Sequence, residues 1–339
     1  MDNALALLIA VVVLGLLFEF VNGFHDAANS IATVVGTRVL TPAHATLMAG
    51  TLDFLGALSG VAVATTVGKG IVDATRVTQD IVVAALVTAI IWDLLTFWLA
   101  LPTSSSHALI FGVIGAAVSR HGWDVVVLPG LEKTSFGIAY SPAIAFVVGY
   151  LFMLAIYWVL RGLSYRFVNR IFGKAQLLSA AYMAFSHGGN DGQKTMGIIS
   201  LALFAYGGPL SAECGTDFCV PVWVKVACAL AIGLGTATGG RRIIRTMGHR
   251  ITALKPVNGF AAETTAGTVI TIATHFGIPI STTHAISGAI LGVGATRRLS
   301  AVRWGIAGRI VTAWVLTIPG CFFMGFGASL LIGALGIHG

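Results

Sequence analysis

The feature that most constrains this chain is a series of apolar runs, 4–21, 81–101, 143–160 and 222–234 among them, which approach the length of a membrane-crossing helix. About 20 mostly apolar residues span the hydrocarbon, and inside it only helices or closed barrels satisfy their own backbone polar groups. Composition agrees. Only 10% of the 339 residues are charged and 56% are hydrophobic, whereas a soluble domain carries about 25% charged residues. The expected class is an all-α polytopic membrane protein. The run at 4–21 follows Met-Asp-Asn rather than a basic leader, so it reads as a retained span.

The net charge of +7 is a topology signal and does not point to nucleic acid. The cations gather in three short stretches: Arg161, Arg166, Arg170 and Lys174; Arg241, Arg242, Arg245, Arg250 and Lys255; Arg297, Arg298 and Arg303. Short Lys/Arg-rich loops mark the cytoplasmic side. With all three placed inside, 259–295 and 80–118 each leave and return to one side, 120–140 is external, and 43–67 is a single outward span. Of the four Cys, Cys228 and Cys321 lie in apolar runs, while Cys214 and Cys219 share a polar loop that suits either a disulfide or two thiols.

Two local repeats run through the chain. PTSSSHALIFGVIG (102–115) pairs with PISTTHAISGAILG (279–292), and GFHDAANS (23–30) pairs with GGNDGQKT (188–195), which aligns Asp26 with Asp191. The motifs come in the same order in both halves, and the threading gives the halves opposite orientation. The expected architecture is therefore two inverted-topology repeats, 1–160 and 176–339, joined by a cytoplasmic linker at 161–175. Inverted repeats with interrupted apolar segments are the mark of secondary transporters, whose site lies between the repeats at the bilayer midplane.

Polar residues inside apolar runs locate that site. On a helix Glu19, Asn22, Asp26 and Asn29 share one face, as do His187, Asp191, Lys194 and Thr195. A charge at the bilayer centre costs several kcal/mol (~3 on insertion scales), so these stripes face protein or a wet cavity. A single intramembrane Asn or Ser is more often interhelical glue. A matched cluster of Asp26, Asp191, Lys194, His25 and Asn190 is not. Gly23, Gly188, Gly189 and Gly192 are expected to let the backbone bend beside the acids. Glu19 is read either as a coupling residue or as a partner of Lys194 or Arg309, Glu263 as a gating or cation-binding residue, and Asp53 and Asp93 as local pairing.

Pro102 and Pro279 end any helix before them, so each motif is expected at the tip of a re-entrant hairpin. The helix that starts there offers free N–H groups and a positive dipole end to an anion. Ser104, Ser105 and Ser106, with Ser281, Thr282 and Thr283, add hydroxyls. Capping needs one hydroxyl per helix, not three. With Lys194, Asn190 and Gln193 the site suits a tetrahedral oxyanion beside two carboxylates. Phosphate, still partly protonated near neutral pH, suits it better than sulfate. Asp26 has Asn29 where Asp191 has Lys194, so Asp26 is read as the main proton acceptor, with His25 pointing elsewhere on the helix. Asp191–Lys194 is read as a fixed, anion-facing pair.

NGFHDAANSIATVVGTRV, LPTSSSHALIFG, AFSHGGNDGQKTMG and GIPISTTHAISGAILG together resemble the inorganic phosphate transporter (PiT) family over nearly the whole chain, and most closely its bacterial low-affinity members. The resemblance implies phosphate symport through a core of inverted repeats in the cell (plasma or inner) membrane. It also implies membrane lipid and a second copy in a homodimer as partners, and no resident cofactor. Sodium-coupled members carry Asn-Asp-x-x-Asn-like motifs in both halves. Here Lys194 stands where a second sodium ligand would be, which favours H+ over Na+ and carriage of phosphate with a divalent metal such as Mg2+. A sulfate permease of the same fold, sodium-coupled phosphate symport and an anion channel are the competing readings. An intramembrane hydrolase using Ser106, His107 and Asp26 is the weakest, because adjacent Ser and His point different ways.

Overall fold

The computed structural model describes residues 3–207 and 218–336. Among these the regular structure is helical, apart from one isolated bridge between Val72 and Val126. The first half gives α1 (Asn3–Gly36), α2 (Pro42–Ala57), α3 (Ala62–Gly70), α4 (Gln79–Trp98), α5 (Ser105–His121) and α6 (Leu128–Leu160). The second gives α7 (Tyr165–Tyr206), α8 (Val222–Thr238), α9 (Arg241–Arg245), α10 (Pro256–His275), α11 (Thr282–Ala295) and α12 (Trp304–Ala334). Each series runs through a long helix with the acidic motif, a bent pair, a hairpin broken at the Pro-Ser motif, and a long helix with an internal proline, Pro142 or Pro319.

Four helices, α1, α4, α6 and α12, are long and apolar enough to cross a membrane, and two bent pairs raise that to six. The chain is a multi-pass membrane protein. Both pairs are bent: α2 and α3 meet at 68°, so 43–67 is broken within its length, and α8 meets the helical stretch Arg242–Arg250 at 60°. The break between α2 and α3 falls at Leu58–Val61, beside Gly60. The basic stretch after Ser164 is likewise helical, forming the first turns of α7, so the non-helical joint between the halves is only 161–164. Cys214 lies outside the described residues, and with it the question of its pairing with Cys219.

Packing is exchanged between the halves. Helix α6 lies on α11 and α12 on α5, while α2 lies on α7 and α8 on α1. Lipid chains are as apolar as leucine, so close contact rather than water exclusion holds such helices together. Glycine provides that contact. A side chain at Gly115 would meet the Phe322 backbone, and one at Gly292 the Phe146 backbone. The glycines beside the acids serve the same end. Both α1 and α7 stay helical through Gly23 and through Gly188, Gly189 and Gly192. Gly23 admits the α8 backbone at Ile232–Thr236, and Gly188 admits α2 at Asp53.

The buried core is in two parts. Leu8, Val11 and Phe18 of α1 join Met196, Ile198 and Ile199 of α7 in one cluster, and Ala28, Ile31 and Val34 join Ala180, Met183 and Ala184 in the other. Between them the two helices carry a buried polar layer: Glu19, Asn22, His25 and Asp26 on α1, His187, Asn190, Asp191 and Lys194 on α7. The middle of the molecule is thus polar, and both hairpin tips reach it.

Candidate ion-binding site

Each hairpin tip begins with a cap. Ser104 Oγ accepts from the His107 N–H at 3.3 Å, and Ser281 Oγ accepts from the His284 N–H at 3.2 Å. That occupies the first hydroxyl of each triplet and frees the rest. Thr282 donates to Asp191 Oδ2 at 3.0 Å, and Thr283 donates to Asp26 Oδ2 at 3.4 Å. Asn29 Nδ2 donates to both threonine hydroxyls, at 3.2 and 2.9 Å. One hairpin tip therefore touches both acidic motifs.

The other tip reaches the site through Lys194. Its ammonium donates to Asp191 Oδ1 at 2.5 Å, to Ser106 Oγ at 2.5 Å and to the Ile280 carbonyl at 2.7 Å. A lysine 2% exposed needs such partners, because an unpaired buried charge is far costlier than a paired one. Ser105 does not join this network; its hydroxyl is buried on the Asp93 side of α5.

Asp26 has a neighbour the helical wheel did not place there. His25 Nδ1 lies 2.6 Å from Asp26 Oδ1, and His25 Nε2 lies 3.2 Å from Thr96 Oγ1, which accepts from Thr103 at 2.9 Å. Consecutive helical residues diverge by about 100°, but the imidazole is long enough to fold back once Thr96 of α4 holds its far nitrogen. The expectation that His25 points away from Asp26 is thereby corrected.

Further partners come from His187, expected on the α7 polar stripe, and from Asp53, expected only in local pairing. His187 sits 3.4 Å from Asp191 and 3.0 Å from Asp53, and Asp53 accepts from Thr236 at 2.6 Å. One ligand atom each of Asp26, His187 and Asp191 lies within 4.8 Å of the others. Two carboxylates, an imidazole and nearby hydroxyls form an oxygen-rich set that fits a hard cation. Asp53 was legible only as a charge in an apolar run; nothing in its spacing showed a partner on α7.

The remaining expected residues lie elsewhere. Asn190 donates to Thr274 at 2.8 Å, and Gln193 donates to Gly189 O and accepts from the Val63 N–H at 2.9 Å. Asn190 lies one turn before Lys194 and is taken up by the end of α10, and Gln193 by the start of α3, where Gln193 and Thr274 line a separate open cavity of about 260 Å³. Glu19 is hydrogen-bonded by Thr195, not by Lys194 or Arg309. Glu263 is hydrogen-bonded by Thr33 at 2.5 Å, by Gln176 at 2.9 Å and by Ser179. Thr33 is seven residues beyond Asp26 on α1, a rise of about 10 Å. The hydrolase arrangement is absent: the His107 ring packs edge-on against His284 with centroids 4.5 Å apart, and Ser106 is held by Lys194.

The sequence pattern of the Phosphate transporter family matches residues 22–325. A probable low-affinity inorganic phosphate transporter of Rhizobium meliloti (strain 1021) is 47% identical over 99% of this chain and 97% of its own. A relative so described in Bacillus subtilis (strain 168) is 42% identical over 94% and 95%. Among solved structures, one described as the sodium-dependent phosphate transporter superposes with a TM-score of 0.86 at 25% identity, covering 97% of this chain and all of that one. These are transporters and not enzymes, and on the length and identity of the match this chain belongs to the phosphate transporter family.

Proposed function

We propose that the protein carries inorganic phosphate across the cell membrane as a secondary active symporter driven by protons. The observation that carries this reading is the meeting of both hairpin tips at Lys194, through Ser106 and the Ile280 carbonyl. The N-termini of α5 and α11, the hydroxyls of Ser106, Thr282 and Thr283, and one ammonium together offer the donors that a tetrahedral oxyanion needs. Phosphate keeps a proton near neutral pH and can donate to a carboxylate, so Asp26 and Asp191 fit beside it; sulfate has no proton to offer them.

The repeated order of elements and the exchanged packing, α6 on α11 and α12 on α5, support two halves of opposite orientation. Phosphate would then be exposed to one side and the other as the halves rock about the polar layer. Protons are carried by the His25–Asp26 pair, whose 2.6 Å contact lets one proton be shared between ring and carboxylate. Asp26, His187 and Asp191 suit a divalent metal travelling with phosphate as part of the cargo.

Sodium coupling is the second reading, favoured by the likeness to a sodium-dependent phosphate transporter. Radiolabelled phosphate uptake into proteoliposomes decides between them, using an imposed pH gradient with and without sodium and magnesium. Accumulation driven by an inward proton gradient in sodium-free buffer is expected. Uptake that needs sodium and ignores pH overturns proton coupling, and uptake of sulfate in preference to phosphate overturns the substrate.

A further inference from the structure

We infer that the anionic headgroup of a membrane phospholipid binds in the cavity between the start of α7, the end of α6 and the start of α10, and there clamps the joint between the two halves. This cavity measures about 500 Å³ and is separate from the central site. Three cations from distant parts of the sequence line it: Arg161 at the end of α6, Lys255 at the N-cap of α10 and Arg297 just after α11. No carboxylate lines the cavity, and among the described residues none of the three is ion-paired. Three converging cations without a counter-ion are a site for an anion.

The rest of the wall says which kind of anion. Leu160, Leu163 and Val168 give the cavity an apolar side, which a small soluble anion has no use for and an acyl chain does. The surrounding aromatics place it at the membrane boundary. Trp158 is 68% exposed and Tyr165 58%, and such rings gather at the headgroup level of a bilayer. They also hold the cations in place. Lys255 Nζ stands 4.4 Å over the Tyr165 ring, and the Arg161 guanidinium stands 5.6 Å from the Trp158 ring. Basic pockets between helices with this mixed lining take phosphate-bearing lipid headgroups.

The position gives binding a consequence. Residues 161–164 are the joint between the halves, whereas Lys255 and Arg297 bracket the second hairpin. A headgroup held by all three ties that joint to the hairpin whose tip carries Thr282 and Thr283. This inference stands on the cavity alone and does not depend on which substrate or coupling ion the central site takes.

The test is native mass spectrometry and thermal unfolding of the full protein, with dioleoylphosphatidylglycerol or dioleoylphosphatidylcholine added in detergent. The wild type is expected to retain phosphatidylglycerol about tenfold over phosphatidylcholine, as anionic-lipid recognition implies, and to melt higher with the anionic lipid alone. The triple variant Arg161→Gln, Lys255→Gln, Arg297→Gln should lose both effects. A charge-matched control, Arg170→Gln, Arg245→Gln, Arg298→Gln, whose residues lie outside the cavity, should keep them. Equal retention of the two lipids by the wild type overturns the proposal, as does a preference that survives the triple variant. So does an equal stabilisation by millimolar inorganic phosphate that the triple variant abolishes, which would make the cavity a soluble-anion site.

Discussion

The Lys194 ammonium stands 2.5 Å from the Asp191 carboxylate on its own helix and 2.5 Å from the Ser106 hydroxyl at the hairpin tip of the other half. One side chain thus links the acidic motif of the second half to the hydroxyl motif of the first. The contact also explains how a lysine can be buried in the polar layer: a carboxylate, a hydroxyl and a carbonyl together take its three protons.

Lys194→Ala leaves Asp191 buried without its cation. Breaking a buried pair costs about 3–5 kcal/mol, more than removing both members together. Lys194→Ala should therefore melt well below the wild type, and the double variant Lys194→Ala, Asp191→Asn should recover much of that loss. Phosphate binding should stay lost in both. Melting curves with uptake assays check this, and normal phosphate affinity in the double variant would show that the ammonium does not face the anion.

The hydroxyl triplets should separate into caps and ligands. Ser104→Ala and Ser281→Ala remove the caps, at a stability cost of about 0.5–2 kcal/mol each, and should leave the KM for phosphate near that of the wild type. Ser106→Ala and Thr282→Ala remove contacts to charged groups, worth about 1.5–3 kcal/mol, so each should raise KM at least tenfold. Equal KM effects at all four positions would remove the distinction.

Much of the site was legible because a polar residue in an apolar run is an anomaly that the sequence cannot hide. Asp26, Asp191, Lys194, Ser106, Thr282 and Thr283 were found that way, and the two repeats paired their motifs. What was not legible depends on side-chain reach and on packing between distant segments. The wheel angle separates His25 from Asp26, and only Thr96 on α4 turns the imidazole back. Asp53 meets His187 across two helices with no spacing to announce it. Asn190 and Gln193 look equivalent to Lys194 as polar residues of one segment, yet their side chains are taken up by Thr274 and by the Val63 N–H. Glycine beside a charge reads equally as a bend or as a close approach, and the close approach is present at Gly23 and Gly188.

That close approach can be tested by filling it. Gly188→Ala drives a methyl group into the Asp53 backbone of α2, an overpacking that costs about 1–3 kcal/mol, and Gly23→Ala does the same against α8. Gly162→Ala meets nothing within 4 Å and should be neutral. Expression and melting temperature in detergent are the readout. A neutral Gly188→Ala would mean that α2 and α7 do not pack as closely as described.

Orientation is checked by labelling. Asp124 and Gly162 are both exposed, at opposite ends of α6. In a background free of native reactive thiols, Asp124→Cys should react with an impermeant maleimide from outside the cell, and Gly162→Cys only after the membrane is opened. Since one long helix joins the two positions, labelling of both from the same side would mean that α6 does not cross.

The His25–Asp26 contact makes proton coupling testable. Asp26→Asn keeps an oxygen that can accept from Thr283 but can no longer exchange a proton with His25. Downhill counterflow of phosphate needs only binding and the change of access, so it should persist in this variant. Uphill accumulation needs a proton to be taken on one side and released on the other, so it should be lost. His25→Gln leaves the carboxylate but removes its 2.6 Å partner; accumulation should survive with an altered dependence on external pH. Sodium-free pH-jump uptake beside counterflow exchange separates these outcomes. If Asp26→Asn still accumulates phosphate against its gradient, the proton travels by another group, and Glu19 or Glu263, each buried and hydrogen-bonded to α7, becomes the next to replace.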